Sequence, residues 1–235
     1  MYGIKLKRKI KNNLRLLGDK YNIDLLFIFQ GSIWFTLQKI LGISSALIIG
    51  ILFANFIDPA EYGKYKYIIS TAEIFGSLSL ASGLYFITTR SISKNKYIKL
   101  SQVTKKIFYS HILFFLIGIS ISTYYFYQGN SQIGSSFLAI TILFPFLQSV
   151  NVFKPALDGA KLFKISTIFG IKKIIINLII MSAPIYLGFS YLWLIISNYG
   201  SRLLASTLNY KSTTKILKQD TDLSKKEIKS SFHLS

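Results

Sequence analysis

Six apolar stretches, near residues 33–56, 67–89, 108–127, 133–153, 170–189 and 191–210, alternate with short polar segments along the 235-residue chain. Each is close to the ~20 residues a tilted helix needs to cross the hydrocarbon core of a bilayer. A surface helix of a soluble protein keeps a polar face. Here the polar residues inside the stretches are mostly Ser, Thr, Asn and Gln, with few charges. The pattern predicts an all-α, polytopic membrane protein built as a six-transmembrane-helix bundle. Residues 31–210 form the membrane lobe, 1–30 a basic interfacial segment and 211–235 a basic tail.

Finer patterning adds detail. Ile10, Leu14 and Leu17 share one helical stripe, which suits a helix lying in the membrane interface. Gly42, Ala46, Gly50 and Ala54 recur every four residues in the first span. Small residues there admit a closely packed helix, line a cavity, or do both on different faces. The second span is also rich in small residues, among them Ser70, Gly76, Ser77 and Gly83. Asp58-Pro59 and Gly63 mark a turn between the first two spans. Pro145 and Pro184 fall inside spans, where a missing N–H should bend a helix.

Charge orients the bundle. The chain has 28 Lys+Arg against 9 Asp+Glu, a net charge of +19. The basic residues gather before the first span, after the second, after the fourth and after the sixth. With alternating spans these four segments share one side. The other side has Lys64 and Lys66, offset by Asp58 and Glu61. The positive-inside bias then places both termini in the cytoplasm. The apolar spans point to an inner membrane, and the abundance of Ile, Lys, Asn, Phe and Tyr is compatible with an AT-rich bacterial genome. Basic runs that border spans meet anionic lipid headgroups, so anionic membrane lipids are the expected partners and nucleic acid is not. The chain has no cysteine, which excludes disulfides and thiolate metal sites.

No P-loop, H-E-x-x-H run, Cys/His cluster or G-x-S-x-G elbow is present. No enzyme activity, cofactor or metal is therefore expected. His111 and His233 are far apart, and His111 reads as interfacial. The remaining candidates are charges inside or at the rim of spans, which are costly in lipid and usually face protein or water. Lys39, Arg90, Lys154 and Arg202 are candidates for binding an anionic headgroup, and Glu73 for ion coupling. Snorkelling or anchoring at the interface is the competing reading for the four cations.

The run Leu52-Phe53-Ala54-Asn55-Phe56-Ile57-Asp58-Pro59-Ala60-Glu61-Tyr62-Gly63-Lys64-Tyr65, then Ser82-Gly83-Leu84 and Thr88-Thr89-Arg90, carries a resemblance. It resembles the bacterial polysaccharide-biosynthesis, or oligosaccharide flippase, family of the multidrug/oligosaccharidyl-lipid/polysaccharide exporter superfamily. Ile57-Asp58-Pro59 stands where that family's turn prefers Leu-Gly-Pro, and Ala81-Ser82 where an acidic residue often precedes Gly-Leu. The resemblance implies a flippase that moves undecaprenyl-pyrophosphate-linked oligosaccharide outward for O-antigen, lipopolysaccharide, capsule or exopolysaccharide synthesis. It implies two six-helix lobes around a cationic cavity, of which this chain would be the N-terminal lobe. The partners it implies are a lipid-linked oligosaccharide and a C-terminal six-helix lobe or a second copy. The segment 225–235 resembles the lead-in to a seventh helix, which raises a truncated or split reading frame. The alternatives are a membrane-embedded transferase acting on isoprenoid carriers and a non-transporting fragment. Asp158 is the only acid in the inner loops between spans, which disfavours the transferase.

Overall fold

A computed structural model describes residues 25–94 and 99–231, with side chains over 31–94 and 99–218. The expected interfacial stripe Ile10–Leu17 and His233 lie outside the described residues. The described chain is all helical and has no strand. Its elements are α1 (Leu25–Phe56), α2 (Pro59–Ser77), α3 (Ala81–Ser93), α4 (Leu100–Ser110), α5 (Ile112–Tyr127), α6 (Ser131–Val150), α7 (Phe153–Gly159), α8 (Phe163–Tyr186) and α9 (Tyr191–Ser231).

Three helical stretches are long and apolar enough to cross a membrane, Gly31–Phe56, Ser131–Gly159 and Phe163–Tyr186, and five if each of two bent pairs counts as one span. The expected six-span bundle thus reduces to three to five candidate spans. The stretch 191–210 does form the first half of α9. Its Asn198, Ser201, Arg202, Ser206 and Asn209 lower its hydropathy, and it is not among the spans found. Its Leu194, Ile195 and Ala205 are fully buried inside the bundle while Trp193, Leu204 and Leu208 are exposed, so one face packs centrally and the other is apolar and outward. The expected basic tail begins within the same helix.

The second expected span, 67–89, is not one helix. α2 and α3 meet at 59° across residues 78–80. Ser77 Oγ donates to the Ile74 carbonyl at 2.6 Å, and the Leu78 and Ser79 amides reach back only three residues. Such side-chain competition for backbone carbonyls bends or ends helices. α4 and α5 meet at 40° around His111. There the Ile107 carbonyl accepts from Ser110 Oγ (2.7 Å) and His111 Nδ1 (2.8 Å), while the His111 amide turns to Phe108. Accepting from Nδ1 requires the Nδ1–H tautomer. His111 is 1% exposed, against Phe114 and Phe144, so it is a core residue and not an interfacial one. α6 and α8 run on through Pro145 and Pro184, which are buried. The marked breaks therefore fall at Ser- and His-bearing positions rather than at proline.

The turn is tighter than the expected 58–63: only Ile57 and Asp58 separate α1 from α2, and Gly63 is a helical residue of α2 without a positive φ. Asp58 Oδ1 accepts from the Ala60 amide at 2.8 Å, Pro59 opens α2, and Glu61 pairs with Lys64 at 3.0 Å. Glu61 Oε2 also accepts from the Tyr191 amide (3.4 Å), placing a carboxylate at the N-terminus of α9, where the helix dipole favours it. This end of the bundle also holds the Tyr67–Tyr125 hydroxyl pair (2.9 Å) and the Phe56–Tyr186 ring contact. The opposite end holds Thr89 against the Pro155 carbonyl, Thr104 against Tyr210, and Asn209 against the Phe169 carbonyl. Helix directions alternate between these ends, and the basic stretches after α3, after α7 and along α9 come to the second one.

α1 departs from simple up-and-down packing. Near the joining turn, Phe53 lies 4.8 and 5.0 Å from the Tyr62 and Tyr65 rings. Along the rest of its length its main neighbour is α8. The two run parallel: Phe35 meets Phe163, Gly42 approaches Ile174, and Phe56 meets Tyr186. α3 packs instead on α7 and α4. The first two spans therefore diverge, and a cavity lies between them.

Candidate anion-binding site

The cavity encloses about 530 Å³, within the ~300–1,000 Å³ usual for ligand pockets. α1 contributes Gln38, Gly42, Ser45, Ala46 and Ile49 to one wall, and Tyr85 of α3 stands on the other. Gln148, Asn151 and Lys154 come from α6, α7 and the break between them. Gly170, Lys173 and Asn177 come from α8, and Arg202 from α9. Of the first span's small stripe, Gly42 and Ala46 line the cavity, and Gly42 also approaches Ile174 of α8, so the stripe serves both a wall and a helix contact. An added Cβ at Gly50 would meet nothing within 4 Å, so no helix packs closely there.

Three cations and no acid line this space. Lys173 lies within electrostatic reach of both Arg202 and Lys154. Asp158, one helical turn beyond Lys154, attracts it from outside the lining. Lys154 Nζ sits 5.8 Å over the Phe35 ring, bridging α7 to α1. Among the described residues, neither Lys154 nor Arg202 makes a side-chain hydrogen bond, so their N–H groups remain free for a ligand. Lys173 Nζ donates to Asn151 Oδ1 at 3.0 Å. Grouped like charges at low solvent exposure repel, and the arrangement gains most when an anion sits among them.

The polar floor is continuous with the core. Asn177 Nδ2 donates to Ser201 Oγ (2.7 Å) and to Asn198 Oδ1 (3.2 Å), and Asn198 Nδ2 donates to the Tyr65 hydroxyl (3.1 Å). These bonds tie α8, α9 and α2 together below the cavity, and each satisfies polar groups that would be costly to bury alone. Gly170 has no side chain where Gln38 crosses from α1. A Cβ there would clash with the Gln38 amide.

Of the candidates named from sequence, the structure brings Lys154 and Arg202 together in the cavity. Lys39, Arg90 and Glu73 are exposed and do not line it. Gln38, one residue before Lys39, takes the position facing the cavity. Glu73 lies on α2 within electrostatic reach of buried Tyr199. The residue missed is Lys173. In sequence it belongs to the doublet Lys172-Lys173 and looks like an interfacial anchor. The signal available was its position about ten residues into α8, ~15 Å along the helix, deeper than a simple rim lysine.

No metal-binding cluster of three or more His, Cys, Asp or Glu occurs among the described residues. In comparisons with known proteins, no family model, no curated protein and no solved structure matches this chain.

Proposed function

We propose that the chain is a membrane flippase, or the N-terminal half of one. It would translocate undecaprenyl-pyrophosphate-linked oligosaccharide units across the bacterial inner membrane for O-antigen, capsule or exopolysaccharide synthesis. The observation that carries this reading is the cavity among helices long and apolar enough to span a membrane, lined by Lys154, Lys173 and Arg202 and by no acid. A diphosphate is the headgroup chemistry such a set of donors suits, because charge-assisted hydrogen bonds to phosphate are among the stronger ones. In this reading the lipid tail would stay in the bilayer, leaving through the gap between α1 and α3, which line opposite walls of the cavity. The resemblance of the Asp58–Tyr65 turn to oligosaccharide flippases supports the same reading.

By the positive-inside bias, the basic end of the bundle faces the cytoplasm, and the cavity lies between that end and the Tyr65–Asn198–Asn177 floor. Loading from the cytoplasm and closure of the floor fit outward movement. Lys39 and Glu73, exposed on apolar helices, suit contact with a second six-helix lobe or a second copy rather than lipid. A transferase acting on isoprenoid carriers would need acidic groups at the headgroup, and none lines the cavity.

The test is a reconstituted assay. Vesicles containing the chain, alone and with a candidate partner lobe, are loaded with a fluorescent polyprenyl-diphosphate saccharide, and its transfer between leaflets is followed. Transfer that depends on Lys173 and Arg202 is expected. Binding without transfer under every pairing would overturn the flippase reading, and sugar transfer to an acceptor would replace it with the enzyme.

A further inference from the structure

Asn151 sits at the break between α6 and α7, and its hydrogen bonds reach all three elements that bear the cavity's cations. Its backbone carbonyl accepts from the Lys154 amide at 3.1 Å. Its side-chain Oδ1 accepts from Lys173 Nζ at 3.0 Å and from Ser206 Oγ at 2.8 Å. Ser206 is fully buried on α9, four residues beyond Arg202 and so one turn along the same face.

These partners fix which way the amide points. An ammonium has only N–H groups to offer, so the oxygen of Asn151 must face Lys173. The second acceptor site of that oxygen is taken by Ser206. The NH₂ group is therefore turned the other way. It makes no hydrogen bond to the described residues and is not among their buried, unpartnered polar atoms, while Asn151 itself lines the cavity. A neutral amide whose acceptor is occupied and whose two donors are open behaves, toward the cavity, as a pure donor.

We propose that Asn151 is a specificity-determining residue of the anion site. It holds Lys173 in place with its oxygen and donates its Nδ2–H groups to a diphosphate oxygen. This rests on the reading of the cavity as a diphosphate-headgroup site, and it adds a neutral donor that charge patterning does not reveal. A cluster of cations alone attracts any anion. A fixed donor between them favours an anion with several oxygens in a set geometry over a simple halide.

The experiment uses the full chain in nanodiscs, with inorganic diphosphate as the probe and chloride as the competitor, and titration calorimetry as the readout. Asn151→Asp keeps an oxygen for Lys173 and Ser206 but presents a second acceptor to the ligand. Gln38→Glu adds the same charge to the same cavity without touching Lys173. Ser206→Ala removes one of the two bonds that hold the amide. Loss of one hydrogen bond to a charged group corresponds to roughly tenfold or more in affinity. Asn151→Asp is expected to lose on the order of 30-fold, well beyond Gln38→Glu, and Ser206→Ala less than about threefold. Asn151→Ser, which can accept from Lys173 but is too short to donate across the cavity, is expected to lose about tenfold and to keep the protein folded if the aspartate does not. Asn151→Asp no weaker than Gln38→Glu, or Ser206→Ala as damaging as Asn151→Ser, overturns the donor role while leaving the cavity reading intact. A wild-type chain that binds no diphosphate overturns both.

Discussion

Lys172 and Lys173 are consecutive, yet they serve opposite surroundings. Lys172 is exposed, whereas Lys173 turns inward and donates to Asn151 Oδ1 at 3.0 Å. A helix rotates by about 100° per residue, so a doublet at the edge of an apolar face must divide in this way. The pair therefore makes an internal control. Lys173→Ala is expected to weaken diphosphate binding by at least about tenfold, as loss of a charge-assisted contact to phosphate should. Lys172→Ala is expected to change it by less than about twofold, as exposed charges usually do. Calorimetry on the two variants checks this, and equal losses would mean that net charge alone attracts the ligand.

Gly159 is where α7 closes on α3. A Cβ placed there would lie 2.6 Å from the Thr89 carbonyl oxygen and 3.1 Å from the Ile92 side chain. A backbone atom cannot step aside as a side-chain tip can. Gly159→Ala should therefore destabilise the folded chain by about 1–3 kcal/mol, the usual cost of overpacking. A thermal shift in detergent reads it, and an unchanged melting temperature would show that the α3–α7 contact is looser than described.

Gly129 and Lys161 give a matched pair of opposite sign. Both close a helix with positive φ, 77° and 61° respectively. Glycine adopts that conformation freely, whereas a residue with Cβ pays roughly 1–2 kcal/mol. Gly129→Ala should lower stability by about 1 kcal/mol, while Lys161→Gly should relieve strain. Comparing denaturation midpoints tests both. Stabilisation by Gly129→Ala would contradict the described turn.

Reporter fusions test the orientation. Tags after Lys164 and after Lys218 should read as cytoplasmic, and one inserted at Gly129 as periplasmic, because the basic stretches gather at one end of the bundle. Because 191–210 is not among the five candidate spans, a cytoplasmic reading after Lys218 requires the first half of α9 to cross as a sixth, and a periplasmic one would mean that it does not.

Much of the helical layout was visible as hydropathy, since apolar runs of span length have few other uses. The breaks were not. Continuous apolarity hides a bend made by Ser77, Ser110 or His111, because their effect depends on which carbonyl each side chain captures. Proline drew the expectation of bends instead, at Pro145 and Pro184, where α6 and α8 continue without a break. The cavity was legible only by halves. Arg202 and Lys154 stood out as charges near spans, whereas Asn151 and Lys173 acquire meaning from a meeting of α6, α8 and α9 that no local pattern records. Lys39 attracted notice for its charge, but the rotation of α1 gives the cavity its neighbour Gln38.

α9 runs unbroken from Tyr191 to Ser231, 41 residues. At ~1.5 Å per residue it is about 60 Å long, twice the ~30 Å of a bilayer's hydrocarbon core. Arg202 lies near its first quarter, at the cavity. The helix is thus a lever with a short inner arm and a long outer one. A tilt of about 5° at Arg202, only an ångström or so at the ligand, would swing the far end by about 4 Å. If the cavity takes an anion as proposed, its occupancy would register as movement at the far end of this helix.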